Sequence, residues 1–405
     1  MATRIVIVGA GQAGGQAIDT LLRAGHEGTI TLVGTESHPP YQRPPLSKKL
    51  LAGEMEVART YLKSIEHYQD KGVTLHLGCT AALINLEGHT LSLDDGSDIE
   101  YDNLLLATGS RARMLALPGS QLRGIHPLRD LNDAQAIRDS IRPQGHMVVI
   151  GGGFVGLEVA AVAVNMGMKV TVVEAGPRLL ARVMPPAMSA WFEALHSKQG
   201  VEIRLNASVE GFQGGDDGQV CAVHVDGAPL SADIVVVGIG IVPNQELAAN
   251  SGLDCDDGIV VDTRCMTSHC DVYAAGDCTR HPQPILGGKL RLESVHNAMS
   301  QGKVAANNLL GIDTDYSEMP WFWSDQYATK LQMIGISHAD DIAVVRGDMS
   351  AEQFSVLYLR DGKLVAADVV NNSREFMACR KLVPLLREFD ATQLADLGQP
   401  LQDLI

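Results

Sequence analysis

IVIVGAGQAGG, running from Ile5 to Gly15, decides how this chain folds. Four apolar residues, Ile5 to Val8, lead directly into Gly9, Gly11 and Gly14, the spacing Gly-x-Gly-x-x-Gly. A strand that enters a tight glycine turn and then a helix aims unpaired backbone N–H groups, and the positive helix end, at a pyrophosphate. The pattern returns as MVVIGGGFVGLE, Met147 to Glu158, with Gly151, Gly153 and Gly156 in the same places. Two dinucleotide sites are therefore expected. Ala13 in the first turn, and Phe154 and Val155 in the second, belong to these candidate sites.

Working outward, each copy should end its second strand with an acid that binds ribose hydroxyls. MKVTVVEAG supplies Glu174. A carboxylate there accepts from a free 2′-hydroxyl and repels a 2′-phosphate, so the second site favours NADH over NADPH, tempered by the nearby Arg178 and Arg182. TITLVGTES has Gly34-Thr35-Glu36 where an acid directly after the glycine is usual, so the contact falls to Glu36 or to the Thr35 hydroxyl. Arg43 in the following loop is placed to help hold an adenosine.

The chain has 405 residues, enough for two or three domains, and 45% of them are hydrophobic. No run approaches the roughly 18 to 20 apolar residues of a membrane span, and the start of the chain runs at once into a strand, which predicts a cytoplasmic protein. A formal charge of −16 argues against nucleic acid or an anionic membrane as main partner. The seven cysteines form no disulfide framework and no metal knuckle, so no metal site is expected. Cys265 and Cys270 have C-x4-C spacing but read as two buried thiols near a strand.

Strand, helix and strand are complete by residue 34, and another apolar strand, Asn103 to Ala107, ends in Thr108-Gly109-Ser110. The second unit repeats this, with Asp233 to Val237 ending in GIGIVPN, where Gly240 is a further candidate contact. From Gly258 two short strands lead to Ala275-Gly276-Asp277, and a helix begins near Val295. From Pro320 short β-rich runs precede an amphipathic helix near 376 to 388. The expected class is α/β, with two Rossmann-like domains and a C-terminal α+β domain. Boundaries fall at 1–111 with 243–319, at 112–242 and at 320–405.

GAGQAGG, LLLATGS, GGGFVGLE and VYAAGD, in that order, resemble the two-dinucleotide flavoproteins related to glutathione reductase. PPYQRPPLSKKLL and PWFWSDQY narrow the resemblance to the ferredoxin or rubredoxin reductases of bacterial oxygenase systems. The resemblance implies bound FAD at the Gly9 turn, NADH as co-substrate at the Gly151 turn, and a C-terminal interface domain. It implies that Lys48 lies beside the isoalloxazine with Glu158 as its partner, both catalytic. It further implies contacts to FAD from Ala81, Arg129, Asp277, the backbone N–H of Val295, and Trp323.

The disulfide enzymes of that superfamily carry a cysteine pair soon after the first fingerprint, where this chain reads HPPYQRPPLSKK. Without it, electrons taken as a pair from NADH must leave singly, and the resemblance implies a 2Fe-2S ferredoxin as acceptor. An acidic reductase needs a local basic patch to dock it, with Lys63, Lys303, Lys330, Arg374 and Lys381 as candidates. Two other readings stay open: direct reduction of a small molecule, as by a monodehydroascorbate reductase or NADH oxidase, and a non-enzymatic NADH sensor.

Overall fold

Ile5–Val8 is the middle strand of a five-stranded parallel sheet ordered Val272–Ala274, Asn103–Leu106, Ile5–Val8, Ile30–Gly34, Val73–Leu77. Side chains alternate across a strand, so Ile5 and Ile7 enter one core with Leu32 and Leu105, while Val6 and Val8 enter another with Val33 and Leu104. A parallel strand covered on both faces needs this unbroken apolar run. The helix Gln12–Arg23 lies on one face beside the later helix Val295–Leu309. Gly302 permits that approach, since a Cβ there would sit 2.5 Å from the Ala13 carbonyl oxygen.

The computed structural model describes residues 3–405, and contacts divide the chain into two units. The first comprises Met1–Arg43, Val57–Arg111 and Val242–Pro320; the second comprises Pro44–Glu56, Ala112–Ile241 and Trp321–Ile405. Leu51 explains why Pro44–Glu56 belongs to the second unit, because it is fully buried there among Ile137, Leu157 and Leu331. Where the chain leaves and rejoins the first unit, Thr108 Oγ1 donates to the Asn244 carbonyl at 2.6 Å and Asn244 Nδ2 donates back to Thr108 O at 2.9 Å.

The second unit contains its own parallel sheet, ordered Glu202–Arg204, Lys169–Val173, His146–Ile150, Ile234–Val237, Ile125–Pro127, again with the fingerprint strand in the middle. It also contains an antiparallel five-stranded sheet from Trp321–Gln326 to Lys363–Val370, followed by the helix Ser373–Leu382. That helix is shorter than the sequence pattern suggests, because Pro384 cannot continue it and the chain tightens into a 3-10 turn. Each parallel sheet is interrupted by a small antiparallel meander, Ala81–Glu100 in the first unit and Val209–Ser231 in the second. No helix among the described residues is long and apolar enough to cross a membrane.

Candidate functional site

The three glycines of each fingerprint do different work. Gly9 has φ +122° and Gly151 φ +103°, and a Cβ would lie 2.0 Å from the Ala107 carbonyl oxygen in one case and 2.5 Å from that of Gly238 in the other. Gly14 and Gly156 lie against the turn itself: their Cβ atoms would come 2.2 and 2.3 Å from the carbonyl oxygens of Gly9 and Gly151. The middle glycines face open space. A Cβ on Gly11 would meet nothing within 4 Å, and one on Gly153 only Gly238 O at 4.0 Å. Both residues are helix N-caps with extended backbone and no side-chain cap, so first-turn N–H groups remain for an anion. These free N–H donors make each cradle fit a pyrophosphate. Ala13 is buried in the helix contact; Phe154 packs on Phe322 with ring centroids 5.0 Å apart; Val155 is 43% exposed.

The acids are held by their own surroundings. Glu36 accepts from Arg43 Nη2 at 2.7 Å and from the Tyr41 hydroxyl, while Thr35 is exposed. Burial alone would lower the Arg43 pKa, but Tyr41, Glu36 and Asp277 together raise it. Tyr41, displayed in PPYQRPP, gains its role only from this contact. Glu174 accepts from the N–H groups of Gly152 and Gly176, each at 2.7 Å, so it also ties the loop around the second cradle. Arg178 is turned to the Met184 and Ala181 carbonyls and the Ser189 hydroxyl, where it braces the following loop.

In PPLSK, the 3-10 turn Pro44–Ser47 presents Lys48 to the helix Phe154–Asn165. Lys48 Nζ lies 2.7 Å from Oε2 of Glu158, which is buried. Ser47 donates to the same oxygen, and Ser324 donates to Oε1 at 2.6 Å. Neither side chain is left to solvent, with Lys48 17% exposed and Glu158 5%. Ser47 and Ser324 were missed as site residues; their only sequence signal was membership of PPLSK and PWFWSDQ.

Residues 3–302 match the family Pyridine nucleotide-disulphide oxidoreductase, and residues 321–405 match the Reductase C-terminal family. The chain belongs to the pyridine nucleotide-disulphide oxidoreductases. It is 42% identical to rhodocoxin reductase of Rhodococcus erythropolis, over 97% of this chain and 92% of that one. It is 40% identical to the ferredoxin–NAD(+) reductase component of the anthranilate 1,2-dioxygenase system of Burkholderia cepacia, over 96% of each. Among solved structures it resembles the covalent putidaredoxin reductase–putidaredoxin complex, with a TM-score of 0.96 and 38% identity over 99% of this chain and 98% of that chain.

As a pyridine nucleotide-disulphide oxidoreductase the chain departs from the family's name. All seven cysteines are free, and none lies in Pro44–Leu51. Cys265 is buried as expected, but Cys270 is exposed, since it sits in the turn between His269 and Asp271 rather than on the strand that follows. In the first unit, Asp277 accepts from Ser110 Oγ at 3.1 Å, and Gly276 N–H donates to Gln301 Oε1 at 2.8 Å. Gln301 Nε2 and Asn297 Oδ1 are buried without protein partners near the start of the Val295–Leu309 helix, which suits a polar ring edge there. Ala81 begins a meander strand and is partly exposed. In the second unit, Arg129 leads into the helix Leu131–Ser140, Gly240 has φ +101° with nothing within 4 Å of its Cβ position, and Trp323 lies 5.5 Å from Trp321, centroid to centroid. Lys63, Lys303, Lys330, Arg374 and Lys381 are all exposed.

Proposed function

We propose that this protein is the NADH-dependent ferredoxin reductase of a bacterial oxygenase system, acting in the cytoplasm and passing single electrons to a 2Fe-2S ferredoxin. One observation carries the reading: where a disulfide enzyme has its redox cysteines, this chain has Pro44-Pro45-Leu46-Ser47-Lys48, with Lys48 in a buried ion pair with Glu158. The names of its relatives, which include reductases of rhodocoxin and of a dioxygenase ferredoxin, support the acceptor.

Residues 1–111 with 243–319 are assigned to FAD, 112–242 to NADH and 320–405 to the interface domain. Gly9, Gly11, Ala13 and Gly14 hold the FAD pyrophosphate, with Glu36, Thr35, Arg43, Ala81, Arg129, Asp277, Val295 and Trp323 as its further contacts. Gly151, Gly153, Phe154, Val155, Gly156, Glu174 and Gly240 receive NADH. FAD supplies the ability to take a hydride and return electrons one at a time. The Lys48 ammonium stabilises negative charge as the hydride arrives, and Glu158 orients Lys48 and binds the nicotinamide amide.

Stopped-flow mixing with NADH, then with oxidised 2Fe-2S ferredoxin, tests this. NADH should bleach the flavin, and ferredoxin should restore its colour faster than oxygen or ascorbate radical does. Flavin that NADH does not bleach would refute the proposal.

A further inference from the structure

Glu158 ends a one-way chain of hydrogen bonds inside the second unit. Its Oε1 accepts from Ser324 Oγ at 2.6 Å, and Ser324 Oγ accepts from Gln326 Nε2 at 3.1 Å. Gln326 Oε1 faces His196 Nε2 at 2.7 Å, and His196 Nδ1 faces the Tyr327 hydroxyl at 3.1 Å. His196, Gln326, Ser324 and Glu158 are all less than 5% exposed, so water does not supply alternative partners.

Donor and acceptor chemistry fixes every proton. A carboxylate only accepts, so the Ser324 hydroxyl donates its hydrogen bond to Glu158 and accepts one from an amide N–H. That turns the Gln326 carbonyl toward His196, which must carry its proton on Nε2 and accept a hydrogen bond from the Tyr327 hydroxyl on Nδ1. Burial lowers the His196 pKa, against the opposing pull of its hydrogen bond to Gln326, and so favours the neutral ring. All donors therefore point at Glu158, and hydrogen bonds aligned in one direction polarise one another. Reversing any one member would set two acceptors or two donors face to face at one link of the chain, a costly arrangement when buried.

We propose that Ser324, Gln326 and His196 are positioning residues that fix the Glu158 carboxylate through this chain, so that Oε2 stays on Lys48. The proposal rests on the reading of Lys48 and Glu158 as the hydride-transfer pair.

The test uses the FAD-loaded protein labelled with ¹⁵N at histidine, in wild type and in Glu158→Gln, Ser324→Ala, Ser324→Thr and Gln326→Met. Ring ¹⁵N shifts should report a neutral Nε2–H His196 in wild type and should move in Ser324→Ala and Glu158→Gln, although neither residue touches His196. Flavin reduction at saturating NADH should slow by about fivefold to twentyfold in Ser324→Ala and Gln326→Met, with the half-saturating NADH concentration changed by less than about twofold, as expected for a misplaced group. Ser324→Thr, which keeps the hydroxyl, should recover most of the rate. Unmoved His196 signals and an unchanged rate in Ser324→Ala, beside a slowed Glu158→Gln, would overturn the chain while sparing Glu158. A Glu158→Gln protein as fast as wild type would remove the catalytic reading, and this proposal with it. If Gln326→Met does not fold, Ser324→Ala decides alone.

Discussion

Glu174 accepts a hydrogen bond from the Gly152 N–H at 2.7 Å, so the proposed ribose ligand is also a strut of the loop that receives the nucleotide. Its other oxygen takes the Gly176 N–H at the same distance. Glu174→Ala should therefore raise the half-saturating NADH concentration and also lower the melting temperature. Each lost hydrogen bond to a charged group costs about 1.5–3 kcal/mol. NADH titration and thermal unfolding of the same sample check both effects; a variant with weakened NADH binding and a wild-type melting temperature would show that the strut is dispensable.

The fingerprint glycines should separate folding from cofactor retention. Gly9→Ala puts a Cβ 2.0 Å from a backbone oxygen at a positive φ, and should destabilise the protein by about 3 kcal/mol or more. Gly11→Ala meets no protein atom within 4 Å, so the chain should fold with a normal circular dichroism spectrum yet retain little FAD. Flavin absorbance per protein, measured beside the spectrum, decides.

Removing one partner of a buried ion pair leaves an uncompensated charge, at a cost of about 3–5 kcal/mol. Lys48→Met should thus be less stable than Lys48→Met with Glu158→Gln, in which neither charge remains. Flavin reduction by NADH should be slow in both, on the order of tenfold to a hundredfold below wild type. Chemical denaturation and stopped-flow absorbance give the two readouts, and recovery of speed in the double variant would contradict the role of Lys48.

Asp368 is buried on the strand Lys363–Val370 and accepts from the Tyr358 hydroxyl at 2.6 Å. Burial pushes its pKa up to about 7, against the effect of Tyr358. A carboxyl raised in the folded state binds its proton there more tightly than in the unfolded chain. Its contribution is therefore complete below its ordinary value near 4 and is lost as pH rises to about 7, on the order of 4 kcal/mol in all. Asp368→Asn does not ionise, so its stability relative to wild type should rise between pH 4 and 7 and stay level above. Urea unfolding across that range tests the sign.

His281 should show the opposite trend. Neither ring nitrogen has a protein hydrogen-bond partner, and burial pushes its pKa down to about 4. The unfolded chain takes up the proton first, so folding loses on the order of 3 kcal/mol as pH falls from 6.5 toward 4. His281→Phe should flatten that acid limb in thermal melts; an unaltered slope would place the loss elsewhere.

Much of the architecture was legible because it is written locally. Ile5 to Val8 and Met147 to Ile150 are unbroken apolar runs that end in glycines, and only a strand buried on both faces followed by a tight turn satisfies both features. The meanders at Ala81–Glu100 and Val209–Ser231 were not legible. Their strands are short and partly exposed, so their pattern is close to that of a loop. Tyr41, Ser47 and Ser324 escaped for a different reason: a tyrosine or serine acquires meaning only from what it touches.

The sequence by itself determined the doubled nucleotide fold and the absence of a redox cysteine pair beside the first turn, and its family resemblance pointed to Lys48 and Glu158. Tertiary structure decided that these two, 110 positions apart, form one buried ion pair with Ser47 and Ser324 attached. It also decided that the chain of bonds from Tyr327 runs in a single direction. Turn geometry and strand patterning depend on neighbours in sequence, whereas a buried charge is defined by its partners across the fold.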